Sequence, residues 1–189
     1  MRKNLGFLMA ILTGGLILAE PAPAFDSRSY TVPVGLESLQ RAKTPQPAPQ
    51  VPFTDPSGAP VTLARFKGKT VVLNFWSTTT APSVRELPSL NKLQETAAGR
   101  GVEVVTVAVE QNGPAPVKAF LARQELKRLK AFTDRGALAR AMGVRGLPTT
   151  AIIDPQGREV ARLEGAGQWD SPEALSLILQ ASPGSSKGL

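Results

Sequence analysis

The 189-residue chain contains no cysteine and no histidine, and these two absences exclude more chemistry than any other feature of its composition. Without cysteine there is no disulfide, no thiolate nucleophile and no thiol–disulfide exchange, because the thiolate is the attacking species in each of those reactions. Without histidine the usual general base near neutral pH is missing. Methionine is scarce as well: of three in the chain, only Met142 lies beyond the first 24 residues. The soft and imidazole ligands that hold copper, zinc or haem are therefore lacking. No loop carries the acidic spacing of a calcium site either. No tightly bound metal and no other cofactor is expected. Aromatic residues make up 5% of the chain and only Phe132 falls within the basic stretch 123–145, which argues against a nucleic-acid stacking surface.

Arg2 and Lys3 precede an apolar run from Leu5 to Ala19, followed by Ala22-Pro23-Ala24 before Phe25. A charged start, an apolar stretch and small residues in this order are the pattern of a secretory signal. Residues 1–24 are read as that signal, with cleavage after Ala24. The run is about 15 residues, short of the roughly 20 that a spanning helix needs. An uncleaved anchor facing the periplasm is the alternative, and a membrane enters the reading only in that case. Export to the periplasm or beyond is the expectation, and the lack of cysteine is unusual for an oxidising compartment.

The whole chain has 22 basic and 15 acidic side chains, a formal charge of +7. Loss of Arg2, Lys3 and Glu20 with the signal leaves 20 and 14, or +6. Seven cations fall between Arg123 and Arg145, against only Glu125 and Asp134. A solvated helix face explains such a run, and an acidic partner or anionic lipid surface is the other explanation.

Residues 25–50 are polar and proline-rich, including "KTPQPAPQVP", and are read as a flexible arm. The single folded domain is placed at 51–180, and 181–189 is read as a disordered tail. Within the domain, residues 53–69 suggest a hairpin-like start. "TVVLNFW" (Thr70–Trp76) is a continuous apolar run of strand length, expected to be buried on both faces. Val84, Leu87, Leu90 and Leu93 recur at three-residue steps in an expected helix over 81–98 that ends at Gly99. A second buried strand at 101–110, a proline-initiated helix at 116–126, a short strand at 131–133 and a helix at 136–142 follow. Two strands joined by the turn Asp154-Pro155-Gln156-Gly157 and a last helix at 171–179 complete the order. The fold class is α/β, a central mixed sheet with helices on both faces.

Three stretches in order, "VVLNFWSTTTAPSVRELPSL", "GVRGLPTTAIID" and "GQWDSPE", resemble the thioredoxin-like fold, and within it the TlpA/ResA-like periplasmic thiol-disulfide proteins. The resemblance covers about Val51 to Gln180. It implies an active-site strand, loop and helix in which Thr80 stands where the nucleophilic cysteine belongs and Ser83 where the resolving cysteine belongs. Thr79 stands in place of an aromatic residue, and Pro148 at the cis-proline that faces the site. The family activity, thiol-disulfide exchange, is an oxidoreductase reaction that this chain has no thiol to perform. A hydrolase using Thr80 or Ser83 would lack its base.

Two readings of the emptied site remain at this stage. Thr80 and Ser83 can satisfy the helix start, threonine as N-cap accepting from an amide two or three residues on. Alternatively the groove formed by Trp76, Thr79, Thr80, Ser83, Leu147 and Pro148 still binds an extended protein or peptide segment, the backbone of Leu147 pairing with it as an added strand, as the resemblance implies. Trp76 and Phe75 also fit the core. Glu110 is either an ordinary strand-end residue or an acid acting at the site. Arg85 and Arg145 are either surface cations or selectors of an acidic partner. A structural or assembly subunit using another surface is the third function class.

Overall fold

A computed structural model of the chain describes residues 34–182. Residues 1–24, read above as a secretory signal, residues 25–33 of the expected arm and the expected tail from 183 onward lie outside the described residues. Strands Gln40–Pro47 (β1), Phe53–Thr54 (β2) and Pro60–Val61 (β3) precede Thr70–Trp76 (β4), helix Ala81–Thr96 (α1) and Val102–Val109 (β5). Helix Pro114–Arg123 (α2), strand Phe132–Asp134 (β6), helix Ala137–Ala141 (α3), strands Thr149–Ile153 (β7) and Arg158–Glu164 (β8) and helix Pro172–Ala181 (α4) follow.

The eight strands form one sheet in the order β1-β8-β7-β4-β5-β6-β2-β3. β4, β5 and β6 run parallel, and every other pairing is antiparallel, so the sheet is mixed. All seven residues of β4 are buried, as its central place between β5 and β7 requires. Alternation along β4 sends Val71, Leu73 and Phe75 into one core and Val72 and Trp76 into the other. The first core is closed by Leu138 and Ala139 of α3, by Met142 just after it, and by the 3-10 turn Leu63–Phe66. The second is closed by Leu87, Leu90 and Leu93 of α1, Val117 and Leu121 of α2, and Leu175 and Ile178 of α4. Helices thus cover both faces. No helix among the described residues is long and apolar enough to cross a membrane.

Two boundaries differ from the expectation. Residues 40–47, read as part of a flexible arm, form edge strand β1, which pairs with β8 through Gln40↔Arg162 and Arg41↔Ala161 and again, past a bulge, through Gln46↔Glu159 and Pro47↔Arg158. An edge strand tolerates Pro45 and Pro47 because its outward positions need no donor. Apolar periodicity is missing since the strand is held by backbone bonds and stays exposed along most of its length. Ahead of it, the turn Leu36–Ser38 buries Leu36, and Gly35, at φ +82°, passes so close to Ala166 that a Cβ there would lie 2.5 Å from its carbonyl oxygen. At the other end, Ala181 and Ser182, read as the start of a disordered tail, are buried at the close of α4. Thr70 donates its hydroxyl to Ser182 Oγ at 3.0 Å.

Candidate functional site

The parallel strands β4, β5 and β6 end at the same side of the sheet, and antiparallel β7 begins there. Phe75 lies opposite Thr149 in register, so the loop after β4 and the loop before β7 emerge side by side. The first carries Ser77 to Thr80 into α1. The second carries Arg145 to Pro148, and its Leu147–Pro148 bond is cis.

The hydroxyl positions do not cap the helix as expected. Thr80 is the N-cap residue of α1, in extended conformation, yet its side chain makes no capping bond. Ser83 is wholly buried and its Oγ has no hydrogen-bond partner among the described residues. The first turn is begun instead by Val84 N–H donating to the Thr80 carbonyl at 3.1 Å, with Pro82 near the start, where a missing donor costs nothing.

Glu110, at the end of β5, takes the role that capping side chains were expected to share. Its Oε1 accepts from Ser77 Oγ at 3.1 Å, Thr78 N at 2.9 Å and Thr78 Oγ1 at 2.8 Å. Thr79 N–H donates to Ser77 Oγ at 3.2 Å. The loop is therefore tied by one carboxylate and its own hydroxyls. Glu110 is a strand-end acid whose carboxylate holds the loop between β4 and α1.

Of the six groove residues, Trp76 and Ser83 are fully enclosed and cannot touch an approaching chain. Trp76 packs on Phe120, ring centroids 5.6 Å apart, and floors the site from inside. Thr79 is exposed, Thr80 and Leu147 are half-buried, and Pro148 is buried. Leu147 makes no backbone hydrogen bond to any described residue, while Pro148 C=O accepts from Gly165 N and Thr149 enters β7. Arg85 and Arg145 are both exposed.

One buried acid beside the site escaped the sequence reading. Glu86 is 3% exposed on the inner side of α1. Its Oε1 accepts from Trp169 Nε1 at 2.6 Å and Gly167 N at 3.0 Å, and its Oε2 from Asn74 Nδ2 at 3.2 Å. No cation faces it. Burial pushes its carboxyl above the ordinary value of 4.5, and the three N–H donors, Trp169 foremost, only partly offset that. Gly167 approaches this closely because it lacks a Cβ, which would lie 2.6 Å from Leu36 Cδ2. The signal was in the spacing: Glu86 precedes Leu90 by four residues and Leu93 by seven, so it shares their buried face.

The arrangement matches known proteins over most of its length. A family model described as Redoxin covers residues 42–178. The thiol-disulfide oxidoreductase ResA of Bacillus thuringiensis subsp. konkukian is 35% identical over 118 residues, 62% of this chain and 68% of that protein. ResA of Halalkalibacterium halodurans is 34% identical over 128 residues, 66% of this chain and 70% of that one. A crystal structure from Chlorobium tepidum, of a protein described as the thiol:disulfide interchange protein DsbE, aligns with a TM-score of 0.64 at 26% identity, covering 74% of this chain and 97% of that one. With the sheet order, the cis-proline loop and the strand-loop-helix arrangement all in place, the chain belongs to the redoxin family, in its TlpA/ResA-like branch, and carries no cysteine.

Proposed function

We propose that this protein is an exported, redox-inactive member of its family that works by binding an extended protein or peptide segment across the loop pair Ser77–Thr80 and Arg145–Pro148. The observation that carries this reading is Leu147: a half-buried residue whose backbone N–H and C=O make no bond to any described residue, beside a site whose other parts are held in place. Backbone groups in such a position are normally paired, and an added strand would pair them. The thiol-disulfide exchange named for its relatives requires a thiolate, and this chain has none to offer.

The expected partner is a periplasmic segment of acidic character. Arg85, Arg135 and Arg145 are exposed on α1, after β6 and in the cis-proline loop, and none forms an ion pair with a described residue. Export rests on the charged, apolar and small-residue order of residues 1–24.

A photo-crosslinking side chain placed at exposed Thr79, compared with one at exposed Gln180 on α4, tests the reading in the protein's native compartment. Adducts from position 79 that are competed by extended acidic peptides support it. Equal or stronger adducts from position 180, with none competed at 79, would favour an assembly subunit using another surface.

A further inference from the structure

Four buried side-chain atoms have no hydrogen-bond partner among the described residues: Asn74 Oδ1, Trp76 Nε1, Ser83 Oγ and Thr106 Oγ1. They are not scattered through the core. Asn74 and Thr106 are direct register partners on β4 and β5. Trp76 lies two residues beyond Asn74 and so points to the same face of the sheet. Ser83 sits one turn before Glu86 on the inner side of α1, and Glu86 touches Asn74 through the 3.2 Å bond to Nδ2. Because α1 runs back over β4, Glu86 lies over Asn74 and Ser83 over the Trp76 end. All four side chains are effectively sealed, at 0% to 1% exposure.

Buried polar atoms are paired with protein or with ordered water, and exceptions that fall together need one common explanation. The chemistry of the set selects the partner. The indole N–H only donates, the amide oxygen only accepts, and the two hydroxyls do both. An anion would be repelled by Asn74 Oδ1, and a cation by the Trp76 N–H. A neutral molecule that both donates and accepts fits all four, and between a helix and a sheet that molecule is water.

We propose that these four atoms form a buried hydration site beneath the first turn of α1, holding ordered water that links Ser83 to the Asn74–Thr106 pair and, through Asn74, to the Glu86 carboxylate. The water anchors Ser83, which no described residue does, and so fixes the helix start from inside while Glu110 fixes the loop from outside. The assignment does not depend on peptide binding.

The test has a direct and an energetic arm, both on the purified protein. In water-selective nuclear Overhauser spectra the Trp76 indole proton should show contact with long-lived water, whereas the Trp169 indole proton, bonded to Glu86, serves as the dry control. Thr106→Val keeps the shape and removes one hydroxyl. If water is bound, the valine leaves it short of a partner and the melting temperature falls, and Ser83→Ala should act in the same direction. If the site is dry, Thr106→Val removes an unsatisfied hydroxyl and the melting temperature rises. Absence of water contact at Trp76, or a higher melting temperature for Thr106→Val, overturns the proposal.

Discussion

Trp169 donates its indole N–H to Glu86 Oε1 at 2.6 Å, joining the loop before α4 to the helix that starts at the emptied site. Glu86 also receives Gly167 N–H, and Gly167 lies against Leu36. One carboxylate therefore holds β4, α1 and the 165–169 loop together. Glu86→Ala would leave three donors without their acceptor and is expected to cost about 3 kcal/mol, read as a shifted denaturation midpoint with an unchanged slope.

The same residue sets a pH dependence. Its folded pKa is raised above the unfolded value of 4.5, so its stabilising contribution is full below 4.5 and is lost as pH rises through the folded value. Glu86→Gln removes this titration and keeps an oxygen for Trp169 and Gly167. The difference in melting temperature between the variant and the unsubstituted protein should therefore move in the variant's favour as pH rises from 4 towards neutrality. Taking the difference cancels the acids whose values are lowered, Asp55, Glu95 and Glu103. Parallel melting curves across that range would contradict the assigned shift.

Glu110→Ala removes the acceptor of three bonds to Ser77 and Thr78. Hydrogen exchange at the Thr78 amide should accelerate by at least about tenfold, the equivalent of one net hydrogen bond of about 1.4 kcal/mol. Amides within α4, which Glu110 does not touch, serve as the reference and should keep their protection.

Glu125 is the one described non-glycine residue with positive φ, at +56°, and its side chain is exposed. Glycine adopts this conformation without a Cβ penalty. Glu125→Gly should raise stability by about 0.5–1 kcal/mol, measured by chemical denaturation. Gly35→Ala should do the reverse, since its Cβ would meet backbone at Ala166.

The double substitution Thr80→Cys and Ser83→Cys asks whether the parent geometry persists. The cysteine at position 80 starts half-exposed at a helix N-terminus, which favours the thiolate, and the one at 83 starts buried. Mild oxidation should close an intramolecular disulfide and give weak disulfide-reductase activity. Two free thiols in a folded, oxidised sample would mean that the loop has departed from the family arrangement.

The strands and helices that bury apolar side chains were legible because burial imprints a period on the sequence: Thr70–Trp76 has the expected bounds, and α1, β5, α2 and α4 shift by only a few residues. β1 was not legible, since its pairing with β8 uses backbone groups and leaves no apolar pattern. The flanking motif pointed to Thr80 and Ser83 at the start of α1, where the structure places both, but did not give their environment. Ser83 differs from a capping serine only in facing inward, and that follows from how α1 lies on β4. Glu86 was hidden by the habit of reading charge as surface, although its spacing from Leu90 and Leu93 placed it on the buried side. Glu110 was noticed as an acid at a strand end. What it holds depends on a loop more than 30 residues earlier in the chain.

The central claim, that the site binds an extended segment through an unpaired backbone, is tested most directly at the Leu147 amide. An isotope-labelled sample titrated with extended acidic peptides should show saturable shifts at the Leu147 amide and at Thr79 and Thr80. Slowed hydrogen exchange at Leu147 should accompany them, as a new backbone bond requires. Saturable binding that leaves the Leu147 amide unshifted and its exchange unchanged would contradict the account.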